Sequence, residues 1–242
     1  DPEHLLELSN GKKKLPLTDK KDILTKCIYG VDIDVHAVEV SKFSLLIKLI
    51  EDETPASVKE CVPILPDLSS NIKNGNSLIC REDIHGKELP IEVLCNIKPF
   101  EWETINGGAK FDAIVGNPPY VKTEDIHTLE TEEEFAVYKK KYKSAYKQFD
   151  KYFLFLEKAF DLLKEDGQMC YIVPNKFYKI GAGQELRRIT AKYVSKLDDF
   201  GDMQLFPDKT IYSCIITLCK ECNKQLQYTN VISLTDLWTG EE

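Results

Sequence analysis

The stretch Phe111-Asp-Ala-Ile-Val-Gly-Asn-Pro-Pro-Tyr120 decides the fold. Its apolar half, which ends at Gly116, predicts a short buried strand. The two prolines that follow interrupt helices and strand ladders alike, because proline has no backbone N–H to donate. The sequence therefore predicts that Asn117 to Tyr120 stand at the carboxyl end of a strand.

Short apolar runs alternate with longer helical patterns on both sides of this stretch. Strands are expected at 27–33, 72–79 and 169–173, and helices at 35–53, 150–165 and 183–194. This alternation predicts an α/β fold with a doubly wound, mostly parallel sheet. The runs 197–203 and 211–218 lie too close for a helical crossover, so a C-terminal antiparallel strand pair is expected. Gly167 is expected to end the 150–165 helix.

The remaining segments are predicted to be irregular. Residues 54–70 contain three prolines, and 81–107 is expected to be largely loop. Residues 1–25 are polar and lack periodicity, which indicates a linker or the remnant of an upstream segment. Residues 26–242 are predicted to form one domain.

Composition excludes several classes of protein. The chain is 43% apolar and 30% charged, and no run approaches the roughly 18 apolar residues of a membrane span. Its net charge of -8 offers no general attraction to phosphate backbones, so any contact with nucleic acid must be local.

The eight cysteines are scattered through apolar stretches, a pattern typical of reduced thiols in a cytosolic protein. Cys219 and Cys222 have the spacing of half a zinc site or a redox pair. No second such pair lies nearby in the sequence, so an ordinary structural role is favoured and no metal is expected.

The tetrapeptide Asn117-Pro118-Pro119-Tyr120 suits chemistry on a planar nitrogen, whose delocalised lone pair makes it a poor nucleophile. If Asn117 Oδ1 and the Pro118 carbonyl accept hydrogen bonds from its two N–H groups, the positive charge that develops on this nitrogen in the transition state is stabilised. The prolines hold the carbonyl in place, and the Tyr120 ring offers a flat surface for stacking.

Asp32, in Gly30-Val-Asp-Ile-Asp34, stands where doubly wound folds bind the ribose hydroxyls of an adenosine-containing cofactor. The alternative is a helix N-cap, a role that Asp34 can fill instead. The glycine-rich turn that usually precedes such an acid is absent, since only Gly11 lies upstream.

Taken in order, these motifs resemble the amino-methylating DNA methyltransferases of restriction-modification systems, in the adenine-N6 group whose cofactor region precedes the tetrapeptide. The match runs from about 28 to 220. The resemblance implies a Rossmann-like methyltransferase fold, S-adenosylmethionine as cofactor, and methyl transfer to the N6 amino group of an adenine flipped out of double-stranded DNA. The resemblance implies no membrane partner.

The resemblance also implies roles for single residues. Asp32 would hold the cofactor ribose, and Ile33 would pack on the cofactor adenine. Asn76, followed by Ser77, occupies the place of a family acid that accepts from the adenine amine; its carbonyl can still accept. Phe155 would cover the same adenine, although ordinary core packing explains it equally well.

On the substrate side, Phe206 in Gly201-Asp-Met-Gln-Leu-Phe-Pro207 matches the family phenylalanine that stacks on the flipped base opposite Tyr120. The lysines Lys139, Lys140, Lys141 and Lys143 can contact phosphates. A solvated charged face is favoured for them, because acidic residues lie just upstream.

Two parts of the family pattern are missing: the glycine-rich first motif and a target-recognition domain. The chain is therefore expected to be a fragment of a larger protein, which is compatible with a nuclease or specificity domain elsewhere. Three enzymatic alternatives stay open, namely methylation of protein glutamine amide, of ribosomal RNA bases, or of cytosine N4. A non-catalytic DNA-binding or assembly subunit is the alternative of another class.

Overall fold

In the computed structural model, residues 5–7, 13–206, 211–221 and 225–234 are described. The chain divides into two units, one of Asp1–Arg81 with Leu94–Ala109 and one of Glu82–Val93 with Lys110–Glu242. Helix α4 (Ile91–Ile97) crosses from a segment of the second unit into the first.

The first unit contains a pair of parallel strands. The elements described in this unit, apart from α4, are in chain order β1 (Leu6–Glu7), β2 (Lys13–Lys14), α1 (Leu17–Cys27), β3 (Gly30–Asp32), α2 (Val35–Ile50), α3 (Pro55–Glu60) and β4 (Ile72–Asn74). β3 pairs with β4 so that Asp32 lies opposite Asn74. Asp34 caps α2 by accepting a hydrogen bond from the His36 backbone N–H at 2.8 Å, which confirms the capping role considered for it.

Three helices of this region were not predicted. α1 lies inside the expected linker, and its Leu17 and Leu24 are buried in one cluster with Leu49 of α2. Two buried leucines in a helix with several lysines are too few to show the apolar periodicity of a helix in the sequence. α3 and α4 lie in expected loops; α3 begins at a proline, and its Thr54 cap accepts from the Ser57 backbone N–H, both of which favour a helix start.

A buried carboxylate ties the first elements to α2. Glu53 pairs with Lys14 at 3.0 Å and with Lys20 at 2.7 Å, and its side chain is 1% exposed. Burial alone would raise the pKa of Glu53, but hydrogen bonds from Lys20, Lys14 and Ser57 outweigh it and lower the pKa to about 2. The carboxylate therefore stays charged across the neutral range.

The second unit is built on a five-stranded sheet with the order β5-β6-β8-β7-β9. Its elements are β5 (Phe111–Gly116), α5 (Thr123–Leu129), α6 (Glu132–Lys141), α7 (Lys151–Leu162), β6 (Leu163–Pro174), α8 (Gln184–Thr190), β7 (Val194–Gln204), β8 (Tyr212–Cys219) and β9 (Gln227–Asn230). The α/β fold class and the C-terminal antiparallel pair, β7 with β8, are confirmed.

The expected helix end at Gly167 is wrong. α7 ends at Leu162, and the chain continues in extended form through β6. The register of β6 against β5 is interrupted in this region, with Phe111 opposite Leu163 and Ala113 opposite Gln168. A Cβ on Gly167 would lie 2.9 Å from the Phe111 carbonyl oxygen, so glycine is needed for close strand approach rather than for a helix cap.

Candidate active site

The tetrapeptide follows β5 directly, as predicted, because the strand ends at Gly116. Asn117 and Pro119 are exposed, Pro118 is buried and Tyr120 is half-buried. The amide of Asn117 is thus open to solvent, while the adjoining proline anchors the backbone in the protein.

The strand end lies close against the next strand. A Cβ on Gly116 would lie 2.9 Å from the Tyr171 ring of β6, closer than side chains pack in protein interiors. Glycine at this position therefore lets β5 pass the Tyr171 ring and fixes where Asn117 begins.

The hydroxyl of Tyr120 lies within hydrogen-bond distance of two acceptors. It is 2.7 Å from Asn117 Oδ1 and 3.0 Å from the carbonyl oxygen of Ile172. The Tyr120 ring packs edge-on against the Tyr152 ring with centroids 6.0 Å apart, and the Tyr152 hydroxyl donates to the Pro174 carbonyl at 3.1 Å. The Tyr120 hydroxyl therefore lies between the Asn117 side chain and β6 and can donate to either.

Burial further favours the protonated form of this tyrosine. Removal from solvent raises the pKa of Tyr120 to about 12, and the nearby Cys214 and Asp150 act in the same direction. The phenol remains a hydrogen-bond donor at neutral pH.

The ends of three strands meet at one edge of the sheet. β5 is parallel to β6, and β7 runs in the same direction because both β6 and β7 are antiparallel to β8. The residues that follow these strands, Asn117, Asn175 and Phe206, therefore lie at the same edge. This edge brings the predicted tetrapeptide and the predicted stacking phenylalanine to one side of the second unit.

Phe206 and Phe155 are both partly accessible. Phe206 is half-buried just beyond β7, and the segment 207–210 that follows it lies outside the described residues. Phe155 is half-buried on α7, where Tyr152, Phe153, Leu154 and Leu156 are fully buried. The ring described in contact with Tyr120 is that of Tyr152, so the stacking role of Phe206 stays a prediction.

A buried carboxylate that the sequence did not single out ties β6, β7 and β9 together beside this edge. Asp199 accepts hydrogen bonds from Asn175 at 2.9 Å, from Tyr228 at 3.1 Å and from the hydroxyl of Tyr178. Burial opposes its charge, but these donors outweigh burial and lower the pKa of Asp199.

The residues predicted to hold a cofactor ribose lie in the first unit. Asp32 and Ile33 are exposed at the carboxyl end of β3. Asp32 Oδ1 accepts from the Asp34 backbone N–H at 2.8 Å, which orients the carboxylate. Ile33 is 43% exposed, an apolar side chain open to a flat partner.

Asn76 and Ser77 follow β4 beside the end of β3, since the Gly75 backbone N–H donates to the Asp32 carbonyl at 2.9 Å. Asn76 is 4% exposed, and its Oδ1 accepts from the Leu78 backbone N–H at 3.0 Å. The Ser77 carbonyl accepts from the Trp102 indole at 3.0 Å. The predicted cluster of Asp32, Ile33, Asn76 and Ser77 is thus brought to one edge within the first unit.

Two of the four lysines considered for phosphate contacts have partners within the chain. Lys139 donates to the Ala145 carbonyl at 2.7 Å, and Lys141 pairs with Asp83 at 2.5 Å. Lys140 and Lys143 are exposed. Lys139 and Lys141 therefore make contacts within the chain itself.

Cys219 donates weakly to Ser195 Oγ at 3.4 Å, and Cys222 lies outside the described residues. Across the part of the chain that the structure describes, no cluster of three or more His, Cys, Asp and Glu side chains suits a metal ion. Within the same part, no helix has the length and apolar character needed to cross a membrane.

The family model described as Eco57I restriction-modification methylase matches residues 26–206. The chain belongs to this family. The resemblance drawn from the motifs is thereby confirmed, and the matched range contains both the Asp32 segment and the tetrapeptide.

Relatives of this Eco57I-family chain include two proteins named as type II methyltransferases. The type II restriction enzyme and methyltransferase RM.Eco57I of Escherichia coli is 43% identical over 244 residues, which cover 100% of this chain and 24% of that protein. The type II methyltransferase M.BstVI of Geobacillus stearothermophilus is 39% identical over 85 residues, 35% of this chain and 14% of that protein. The chain thus spans about a quarter of the first relative's length.

Solved structures share the fold of the Eco57I-family chain. The DrdV–DNA complex matches with a TM-score of 0.61 and 16% identity, covering 90% of this chain and 22% of that one. The ATP-dependent Type ISP restriction-modification enzyme LlaBIII bound to DNA matches with a TM-score of 0.58 and 16% identity, covering 88% and 16%. At such identities the likeness concerns the fold.

Proposed function

We propose that the full-length protein transfers a methyl group from S-adenosylmethionine to the N6 amino group of an adenine in a specific double-stranded DNA sequence, as the modification part of a restriction-modification system. The observation that carries this proposal is the tetrapeptide Asn117 to Tyr120 at the carboxyl end of β5, on the edge shared with Phe206. Family membership supports it.

On the substrate side, the chain's residues hold and polarise the amino group. An exocyclic amine is inaccessible inside a duplex, so the base is swung out and held between Tyr120 and Phe206. Asn117 Oδ1 and the Pro118 carbonyl accept hydrogen bonds from the two N–H groups of the adenine amine. They thereby stabilise the positive charge that develops on its nitrogen. A strong general base is not required, because the N–H acidity rises as the new bond forms.

On the cofactor side, the residues of the first unit fit an adenosine group. The exposed carboxylate of Asp32 has one oxygen oriented by the Asp34 N–H and can accept from ribose hydroxyls. Ile33 offers an apolar face, and Asn76 and Ser77 follow the neighbouring strand at the same edge. When bound, the cofactor supplies an electrophilic methyl group.

The proposal is tested by product analysis. Full-length protein is incubated with methyl-labelled S-adenosylmethionine and unmethylated double-stranded DNA, and the DNA is hydrolysed to nucleosides for mass spectrometry. We expect N6-methyladenine, at one sequence that single-molecule sequencing then identifies. N4-methylcytosine would move the reaction to cytosine, methylglutamine or methylated RNA would change the substrate class, and no transfer to any of these would favour a non-catalytic subunit.

A further inference from the structure

A cavity of about 110 Å³ lies in the second unit beside the tetrapeptide. It is bounded by the segment that follows Tyr120, the segment that precedes α7 and the turns that follow β6. The lining residues used below are Lys122, Gln148, Phe149, Asp150, Lys176 and Ile180.

The cavity contains a buried carboxylate with an unused acceptor. Asp150 is 3% exposed, and its Oδ2 pairs with Lys176 Nζ at 2.9 Å. Its Oδ1 is fully buried and has no hydrogen-bond partner among the described residues. Although Asp150 precedes α7, its side chain makes no capping hydrogen bond. A buried charged oxygen without a donor is costly, so this site favours a ligand that brings an N–H or O–H group.

An exposed lysine lies next to this carboxylate. Lys122 pairs with Asp150 through an isolated antiparallel bridge, which fixes the two residues side by side. The Lys122 side chain is exposed, and no partner for its ammonium group is described. A ligand that satisfies both residues carries an anionic group as well as a donor.

The rest of the lining is apolar or neutral, apart from the exposed carboxylate of Glu124 at the rim. Phe149 is buried, Ile180 is 37% exposed, and Gln148 offers an exposed amide. A flat heterocycle with an exocyclic amine, attached to a phosphate, matches an apolar wall, an acceptor and a cation together. A nucleotide within a DNA strand has this combination, because adenine, cytosine and guanine all carry an amino group.

The cavity is close enough to the tetrapeptide to receive a neighbouring nucleotide. Lys122 is two residues beyond Tyr120, and the Thr123 N–H donates to the Phe149 carbonyl at 3.1 Å. The Asp150 charge also acts on the Tyr120 phenol. The pocket and the site proposed for the flipped base therefore lie near each other in the second unit.

We infer that this pocket binds the nucleotide adjacent to the target adenine on the methylated strand, with Asp150 accepting from its base amine and Lys122 contacting its phosphate. The inference rests on the proposed function. It makes Asp150 a residue that distinguishes a base with an amino group from thymine beside the target.

The test is a cycle that combines protein variants with altered duplexes, in the full-length protein and at its identified site. The nucleotides on either side of the target adenine are replaced, one at a time, by an abasic residue. For the parent protein we expect kcat/KM to fall about tenfold with one of the two abasic duplexes. Asp150→Asn should lower kcat/KM on the intact duplex by a similar factor and show little further loss with that abasic duplex, because the two changes remove one contact.

A second experiment uses the exposed Lys122 and does not depend on whether an Asp150 variant folds. Lys122→Ala should weaken DNA binding several-fold on the normal duplex, and have no effect on a duplex whose adjacent phosphate is a neutral methylphosphonate. Lys87→Ala, at an exposed lysine outside the pocket, is the matched control.

The outcomes separate the two proposals. If DNA is methylated but the abasic and methylphosphonate penalties are the same in the parent and in both variants, the pocket does not bind this nucleotide and the inference fails. If DNA is not methylated at all, the proposed function fails first.

Discussion

The hydroxyl of Tyr120 lies 2.7 Å from Asn117 Oδ1 and 3.0 Å from the Ile172 carbonyl. A phenol has one proton, so it donates to one of these acceptors at a time. When it donates to Asn117, it selects the amide orientation that leaves the second lone pair of Oδ1 for the substrate amine. Tyr120 then has two separable parts, a ring that stacks and a hydroxyl that orients.

Tyr120→Phe separates these parts. The phenyl ring can still stack on the base, whereas the orientation of Asn117 is no longer selected, so we expect kcat to fall up to about tenfold, the size of one hydrogen bond. Base flipping, followed by 2-aminopurine fluorescence at the target position, should be unchanged. Tyr146→Phe is the control; a parent-like kcat in Tyr120→Phe would remove the orienting role.

Phe206→Ala removes the proposed second wall of the base pocket. A stacked aromatic contributes about 1–3 kcal/mol, which is comparable with the cost of unstacking a base, so the 2-aminopurine signal at the target should drop and KM for DNA should rise. Phe43→Ala, at an exposed phenylalanine of α2 in the first unit, is the control. If the fluorescence of the Phe206 variant matched the parent, this phenylalanine would lie outside the pocket.

Asp32→Ala tests the ribose contact without DNA. The variant lacks the charged acceptor for the two ribose hydroxyls. Binding of S-adenosylhomocysteine should therefore weaken about 10- to 100-fold in a calorimetric titration of the full-length protein. Asp32→Asn keeps an oxygen that can accept from the Asp34 N–H and should lose less. Asp22→Asn, at an exposed aspartate of α1, is the control. Equal affinity in Asp32→Ala and the parent would exclude the ribose contact.

Glu53 gives a prediction about stability and pH. The lowered pKa of about 2 means that its stabilisation is fully present above the unfolded value near 4.3 and is lost as pH falls toward 2. Glu53→Gln should therefore lower the local stability of α2 by about 2 kcal/mol at pH 7, with the difference shrinking below about pH 5. Hydrogen exchange, corrected for intrinsic rates, measures this in the full-length protein. Glu103→Gln is the control, and a difference that persists at pH 2 would contradict the ion-pair explanation.

The sequence predicts those features of the molecule that depend on residues close together in the chain. The strand Phe111–Gly116 and the place of the tetrapeptide after it follow from an apolar run and two prolines, which act on their own backbone. The expected burial of this strand is wrong, since Val115 is 80% exposed. Asp34 as helix cap is equally local. α1 was missed because its two buried leucines belong to a cluster with residues of α2 and with Cys61, so its own sequence does not show which side is buried.

The Asp199 network was missed for the same reason. Its donors are 24, 21 and 29 residues away, at Asn175, Tyr178 and Tyr228, and no spacing rule connects them. The end of α7 was misplaced because Gly167, which suits a helix cap in sequence, is required instead by the Phe111 carbonyl of the neighbouring strand. Such tertiary requirements override local preference.

The assignment of the tetrapeptide to catalysis is tested most directly by methyl transfer to double-stranded DNA by the full-length Asn117→Ala variant, with Asn96→Ala at an exposed asparagine of α4 as control. We expect N6-methyladenine formation to fall about 10²–10³-fold, the scale of losing a preorganised transition-state acceptor, with DNA affinity largely kept. Methylation by Asn117→Ala at the parent rate would contradict the assignment.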